Sequence, residues 1–99
     1  MTDSTACKVH HAIDILGSKW VLPILYNLCT GTRGFNELER RIEGISPRIL
    51  SLRLKELVEF GLVKKNILPT SPPQTEYSLT EKGATLKSVV TSLGEWAEA

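Results

Sequence analysis

The sequence predicts a mainly α chain with a small β-hairpin, and three observations carry that expectation. Apolar residues recur at helical spacing in five separate segments. A Ser46-Pro47 helix start stands only a few residues behind a short helical segment. Between Leu62 and Leu79 the pattern changes to alternation on both sides of a Pro-rich tip.

Residues 1–6 are small and polar and are expected to be disordered, which leaves a single domain over 7–97. From Cys7 to Leu16, Val9, Ile13 and Leu16 recur at helical spacing, and Gly17 supplies a stop. Ser18 reads as the N-cap of a second helix, Lys19 to Cys29, with Val21, Leu25 and Leu28 on one stripe and Cys29 in the core beside them. Pro23 falls in the second turn of that helix and predicts an irregular start or a kink. Asn36 with Glu39 has the form of a capping box and opens a short helix carrying Leu38 and Ile42, closed by Gly44. Ser46 and Pro47 then start the next helix, whose inner face is Leu50, Leu54, Leu57 and Val58, and Gly61 fits a left-handed stop. Leu62–Leu68 and Thr75–Leu79 read as two strands of a hairpin, because the Pro69–Gln74 stretch suits neither helix nor central strand. Thr80 caps a last helix with a stripe of Leu86, Val89, Val90, Leu93 and Trp96.

At 99 residues the chain has room for one modest core and for no large substrate cavity. Apolar residues at 41% and charged residues at 23% are ordinary globular usage, which excludes disordered and fibrous classes. Pro23 interrupts the longest apolar run, Trp20 to Tyr26, so no membrane span is expected, and the N-terminus lacks the pattern of a secretory signal. Two cysteines make no disulfide framework, and a reduced cytoplasmic setting fits them better. The net charge of +1 is uninformative, but its distribution is not: from Arg33 to Lys65 eight basic residues face five acidic ones, giving +3 in the centre and −2 in the flanks. Gly-rich phosphate loops, HExxH, GxSxG and CxxC are all missing, so an enzyme is not expected, nor is any cofactor. Cys7, His11 and Asp14 share a helical face, but nothing completes a four-ligand set, and no metal is expected.

Helix, helix, helix–turn–helix, hairpin, helix is the order of a winged helix-turn-helix, in which one helix fits the major groove and the hairpin forms a wing beside it. Arg48, Leu52 and Lys55 lie opposite the inner face of the Ser46–Phe60 helix, with Ser51 and Arg53 on its flanks. Arg48 suits a guanine edge or a phosphate, Ser51 either of these, and Leu52 a thymine methyl. A solvated face with Arg53–Glu56 and Lys55–Glu59 pairs would show the same residues. Lys64 and Lys65 suit phosphate contact from the wing, or simply solubilise an exposed strand. Gln74 at the hairpin tip suits a minor groove, and Arg33 with Asn36 a phosphate at a helix start. Cys7, in a first helical turn with His11 at i+4, occupies a position that favours a thiolate.

Several strings together resemble the HxlR family of transcription regulators: Cys7 with Ile15-Leu16-Gly17-Ser18-Lys19-Trp20, then Gly34-Phe35-Asn36-Glu37-Leu38. Gly44-Ile45-Ser46-Pro47-Arg48-Ile49-Leu50, Gly61-Leu62-Val63 and Glu76-Tyr77-Ser78-Leu79-Thr80 extend the likeness over residues 7 to 97. The resemblance implies a MarR-like winged-helix homodimer on double-stranded operator DNA. It places Ser46 and its helix in the major groove and forms the dimer through the first and last helices. Val9, Ile13, Leu16, Leu86, Val90, Leu93 and Trp96 offer the apolar surface for that dimer. It also implies a redox- or electrophile-sensing role for Cys7, although Lys8 follows where the family often has Pro. Two other readings stand beside it: a winged helix that docks a protein partner, and a ligand-responsive regulator without redox chemistry whose small-molecule inducer is unknown.

Overall fold

In a computed structural model, which describes residues 4–98, the chain folds as α1 (Ser4–Leu16), α2 (Val21–Leu28), β1 (Arg33–Gly34), α3 (Phe35–Arg41), α4 (Pro47–Glu59), β2 (Val63–Leu68), β3 (Gln74–Leu79), α5 (Glu81–Ala84) and α6 (Lys87–Glu98). This is a mainly helical winged helix-turn-helix whose wing is an antiparallel sheet in the order β1-β3-β2. The first helix takes in residues 4–6, ahead of the expected start at Cys7; residues 1–3 of the expected disordered stretch lie outside the described residues. Among the described residues no helix is long and apolar enough to cross a membrane.

The core is built on α4. Leu50, Leu54 and Leu57 are fully buried against Val21, Ile24, Leu25 and Leu28 of α2 and Leu38 of α3, with Ile42, Ile45, Leu62, Val63 and Tyr77 closing the cluster. Each such side chain contributes roughly 1.5–3 kcal/mol through burial. Ser46 caps α4 as its sequence predicts, its hydroxyl oxygen accepting from the Ile49 N–H at 3.1 Å, and Gly61 takes the left-handed stop at φ 77°. Val58 departs from the expected inner face and is 38% exposed. At about 100° per residue it falls at the edge of the stripe that Leu50, Leu54 and Leu57 centre. For the same reason Cys29, one residue past Leu28, is half-buried rather than core.

Two further helix starts differ from the sequence expectation. α2 begins at Val21, not Lys19, because Trp20 adopts a left-handed conformation (φ 82°) and no side chain caps the helix; Ser18 contributes only its carbonyl, which accepts from the Val21 N–H at 3.2 Å. A left-handed non-glycine residue costs roughly 1–2 kcal/mol. Packing of the Trp20 ring against the core and over Gly44, whose own φ is +86°, offsets that cost. Pro23 is then the third helical residue, where no N–H is needed, and it introduces no missing bond. α3 begins at Phe35 behind Gly34, so Asn36 is its second residue and not its cap. The cause is β1, a two-residue strand that holds the chain extended up to Gly34 by pairing Arg33 with Tyr77 and Gly34 with Glu76.

The last helix is divided. Thr80 caps α5, its hydroxyl oxygen accepting from the Gly83 N–H at 3.0 Å. Thr85 and Leu86 then separate α5 from α6. Gly83 lies backbone-to-backbone against the Leu62 carbonyl, where a Cβ would overlap it. None of the side chains of α6 is buried.

Candidate nucleic-acid interface

Burial of Leu50, Leu54 and Leu57 turns the opposite side of α4 to solvent, where Arg48, Ser51, Leu52 and Lys55 form one exposed strip. Leu52, 46% exposed, stands between the polar groups near the start of the helix. Across from the strip lies the wing. β2 and β3 pair Lys65 with Tyr77, and Lys65 lines a groove of about 190 Å³ together with Ser51, Lys55, Val58 and Tyr77. Two lysines and a hydroxyl therefore converge between helix and wing, an arrangement suited to a phosphate run. Burial pushes the Tyr77 hydroxyl above its ordinary value, so this group stays neutral.

Lys64, one residue earlier, faces the other side of the sheet by strand alternation, the side that carries Gln74 and Glu76. There a larger cleft, about 710 Å³, opens between α3 and the wing tip. Asn36 and Gln74 both line it, as does Arg40, a cation that the sequence reading missed although it follows Asn36 at i+4 on the same face of α3. Glu37 and Glu76 line the same cleft and dilute its positive charge.

Arg33 and Arg53 stand apart from both groups because their guanidiniums bond within the protein. Arg33 donates to the Asn27 carbonyl at 3.2 Å, to Thr30 Oγ1 at 2.7 Å and to Glu37 at 3.1 Å, bracing the α2–β1 connection. Arg53 donates to the Lys19 carbonyl at 3.1 Å and to Glu56 at 2.8 Å, which ties α4 to the turn before α2. Of the two surface pairs that a solvated helix would show, only Arg53–Glu56 forms.

Away from this face, Cys7 is exposed with a free thiol. Cys7, His11 and Asp14 do not form a ligand cluster, nor does any such group of three arise elsewhere among the described residues. Val9, Ile13, Leu93 and Trp96 are exposed, Trp96 at 78%, while Leu16, Leu86 and Val90 are half-buried. Val90 and Leu93 close one side of an apolar groove whose other side is Trp20, Leu22, Pro23 and Tyr26.

Comparison with known proteins follows the same lines. The model of the HxlR-like helix-turn-helix family matches residues 15–99. The chain is 40% identical over 98 residues to the uncharacterised HTH-type transcriptional regulator YvaP of Bacillus subtilis (strain 168), covering 98% of this chain and 91% of that one. Its structure is similar to that of the redox regulator HypR in its reduced form, at 38% identity and TM-score 0.87 over 92% of this chain and 90% of that one. It is also similar to diamide-treated YodB from B. subtilis, at 36% identity and TM-score 0.77 over 92% and 90% of the two chains.

Glu37 offers a test of the bracing around Arg33. Partial burial pushes its carboxyl up, but the Arg33 and Arg41 guanidiniums, at 3.1 and 3.2 Å, outweigh that and hold it below the ordinary value of 4.5. A depressed carboxyl adds stability above its unfolded value and loses it as pH falls through the lower folded value. Glu37→Gln is therefore expected to be less stable than the wild type at neutral pH, with the gap closing as the pH falls below 4.5. Urea midpoints measured across that range check this; a gap that does not change with pH contradicts it.

Proposed function

We propose, on the premise that the chain belongs to the HxlR-like helix-turn-helix family and is a transcriptional regulator of that type rather than an enzyme, that it binds a pseudo-palindromic operator as a homodimer. The observation that carries the reading is the exposed strip of α4 standing beside a wing lysine. In this reading α4 enters the major groove by its Ser46-capped end. Arg48 reaches a base edge, Leu52 meets a thymine methyl, and Ser51 bonds to a base or a phosphate. Lys55 and Lys65 follow the adjacent phosphates, while Asn36, Arg40, Lys64 and Gln74 serve the flanking backbone from the α3–wing side. Arg33 and Arg53 hold the frame from which these residues reach out, and Ser46 holds the start of the helix. The dimer closes through Val9, Ile13 and Leu16 of α1 and Leu86, Val90, Leu93 and Trp96 at the other end of the chain, since apolar surface of this extent favours a partner. A cytoplasmic setting follows for a DNA-binding protein with two free thiols.

Redox control through Cys7 is the finer part of the proposal. It is supported by the exposure of the thiol on α1, the helix given to the dimer, and by the likeness to a protein described as a redox regulator. Oxidation there would act on the dimer and so on the spacing of the two α4 helices.

Arg48→Ala is expected to weaken operator binding by about 1–3 kcal/mol and to relax preference at one base pair. Titration of specific and random DNA at fixed salt measures it, and equal losses on both would make Arg48 a phosphate contact. Cys7→Ser is expected to keep DNA affinity and to lose the response to diamide in a mobility-shift assay. A mutant that responds as the wild type does contradicts the sensor role.

A further inference from the structure

Tyr77 lies at the floor of the groove between α4 and the wing, and the operator reading leaves its hydroxyl without a role. At 7% exposure it belongs to the core cluster, whereas Ser51, Lys55 and Lys65 around it are exposed. It sits on β3, the central strand, paired with Lys65 on one side and with Arg33 on the other. Arg33 is in turn bonded to Asn27, Thr30 and Glu37. As cross-strand partners, Lys65 and Tyr77 project from the same face of the sheet, the one that meets α4 at the groove.

A buried tyrosine hydroxyl usually finds a hydrogen-bond partner. Among the described residues the Tyr77 hydroxyl has none. No polar side-chain atom of those residues is both sealed from solvent and unpartnered, so this oxygen reaches the surface, and the groove is the surface that Tyr77 lines. Burial holds the phenol above its ordinary value of 10.0, so at neutral pH it keeps its proton and serves as a donor. Lys55 and Lys65 draw an anion to the same groove. A lysine on its flexible stem follows an anion over a range of positions, whereas a ring fixed in the core offers its donor at one place.

We propose that the Tyr77 hydroxyl donates a hydrogen bond to one backbone phosphate of the DNA, drawn in by Lys55 and Lys65, and so fixes how deeply the duplex seats between α4 and the wing. The proposal deepens the operator-binding reading and rests on it. An uncharged donor displaces no counterion, and a phosphate carries no base identity. The contact therefore has a signature that neither a lysine nor a base contact shares: affinity is lost equally on every sequence, with no change in salt dependence.

Tyr77→Phe removes the hydroxyl and keeps the ring in the core. The wild type, Tyr77→Phe and Lys65→Gln, each as the full chain, are titrated at several salt concentrations with two duplexes. One is the DNA upstream of the chain's own gene, and the other is a scrambled sequence of the same length. Tyr77→Phe is expected to bind both about tenfold more weakly, with the wild-type slope of log affinity on log salt and the wild-type melting temperature. Lys65→Gln is expected instead to flatten that slope by about one. Single methylphosphonates along the upstream duplex then locate the partner: at one position in each half-site the neutral linkage weakens the wild type more than Tyr77→Phe. A Tyr77→Phe protein that binds as the wild type does, loses affinity on one duplex only, or melts lower overturns the proposal and leaves the operator reading standing. A wild type that binds neither duplex contradicts both.

Discussion

Burial of three leucines on one side of α4 is the constraint on which the rest of the structure depends. Leu50, Leu54 and Leu57 are each no more than 1% exposed. Once that stripe is fixed, the helical repeat leaves no freedom for the opposite face, and Arg48, Ser51, Leu52 and Lys55 must point outward. Rotating α4 about its axis to present other residues would bring leucine out of the core and carry charge into it. The identity of the exposed strip is thus set by packing chemistry that never touches DNA. Arg53 adds a lateral restraint, since its bond to the Lys19 carbonyl holds α4 to the start of α2 across 34 residues of sequence.

A second junction carries that orientation to the wing. Thr80 serves both sides of it: its hydroxyl donates to the Gly61 carbonyl and accepts from the Gly83 N–H, while its own N–H donates to Leu62. The end of α4, the start of β2, the end of β3 and the start of α5 therefore meet at one residue. Gly83 permits the close approach that this requires.

The legible parts of the sequence were those whose signals are local. Ser46, Pro47 and Gly61 mark both ends of α4 by their own backbone chemistry, and the alternation around Pro72-Pro73 marks the hairpin. The illegible parts depend on partners distant in sequence. The left-handed Trp20 that delays α2 is held by its packing over Gly44, and no property of residues 17–21 announces it. β1 is two residues long, too short to show a period, and its pairing with β3 removes Asn36 from the capping position. The apolar stripe from Leu86 to Trp96 begins only at the break that separates α5 from α6, so its period carries no sign that the helix capped by Thr80 is interrupted. Among the site residues, charge alone could not separate Arg33 and Arg53 from Arg48 and Lys55. What separates them is a pair of backbone carbonyl acceptors, on Asn27 and Lys19, that only the fold brings into reach.

The central claim is that two copies of the α4 strip, related by a two-fold axis, read one operator. A nuclease footprint of the chain on the DNA upstream of its own gene tests this most directly. The account predicts two protected half-sites of related sequence, centred about 10 bp apart or a multiple of that, on one face of the duplex. Protection confined to a single half-site, at protein concentrations that saturate it, would contradict the account.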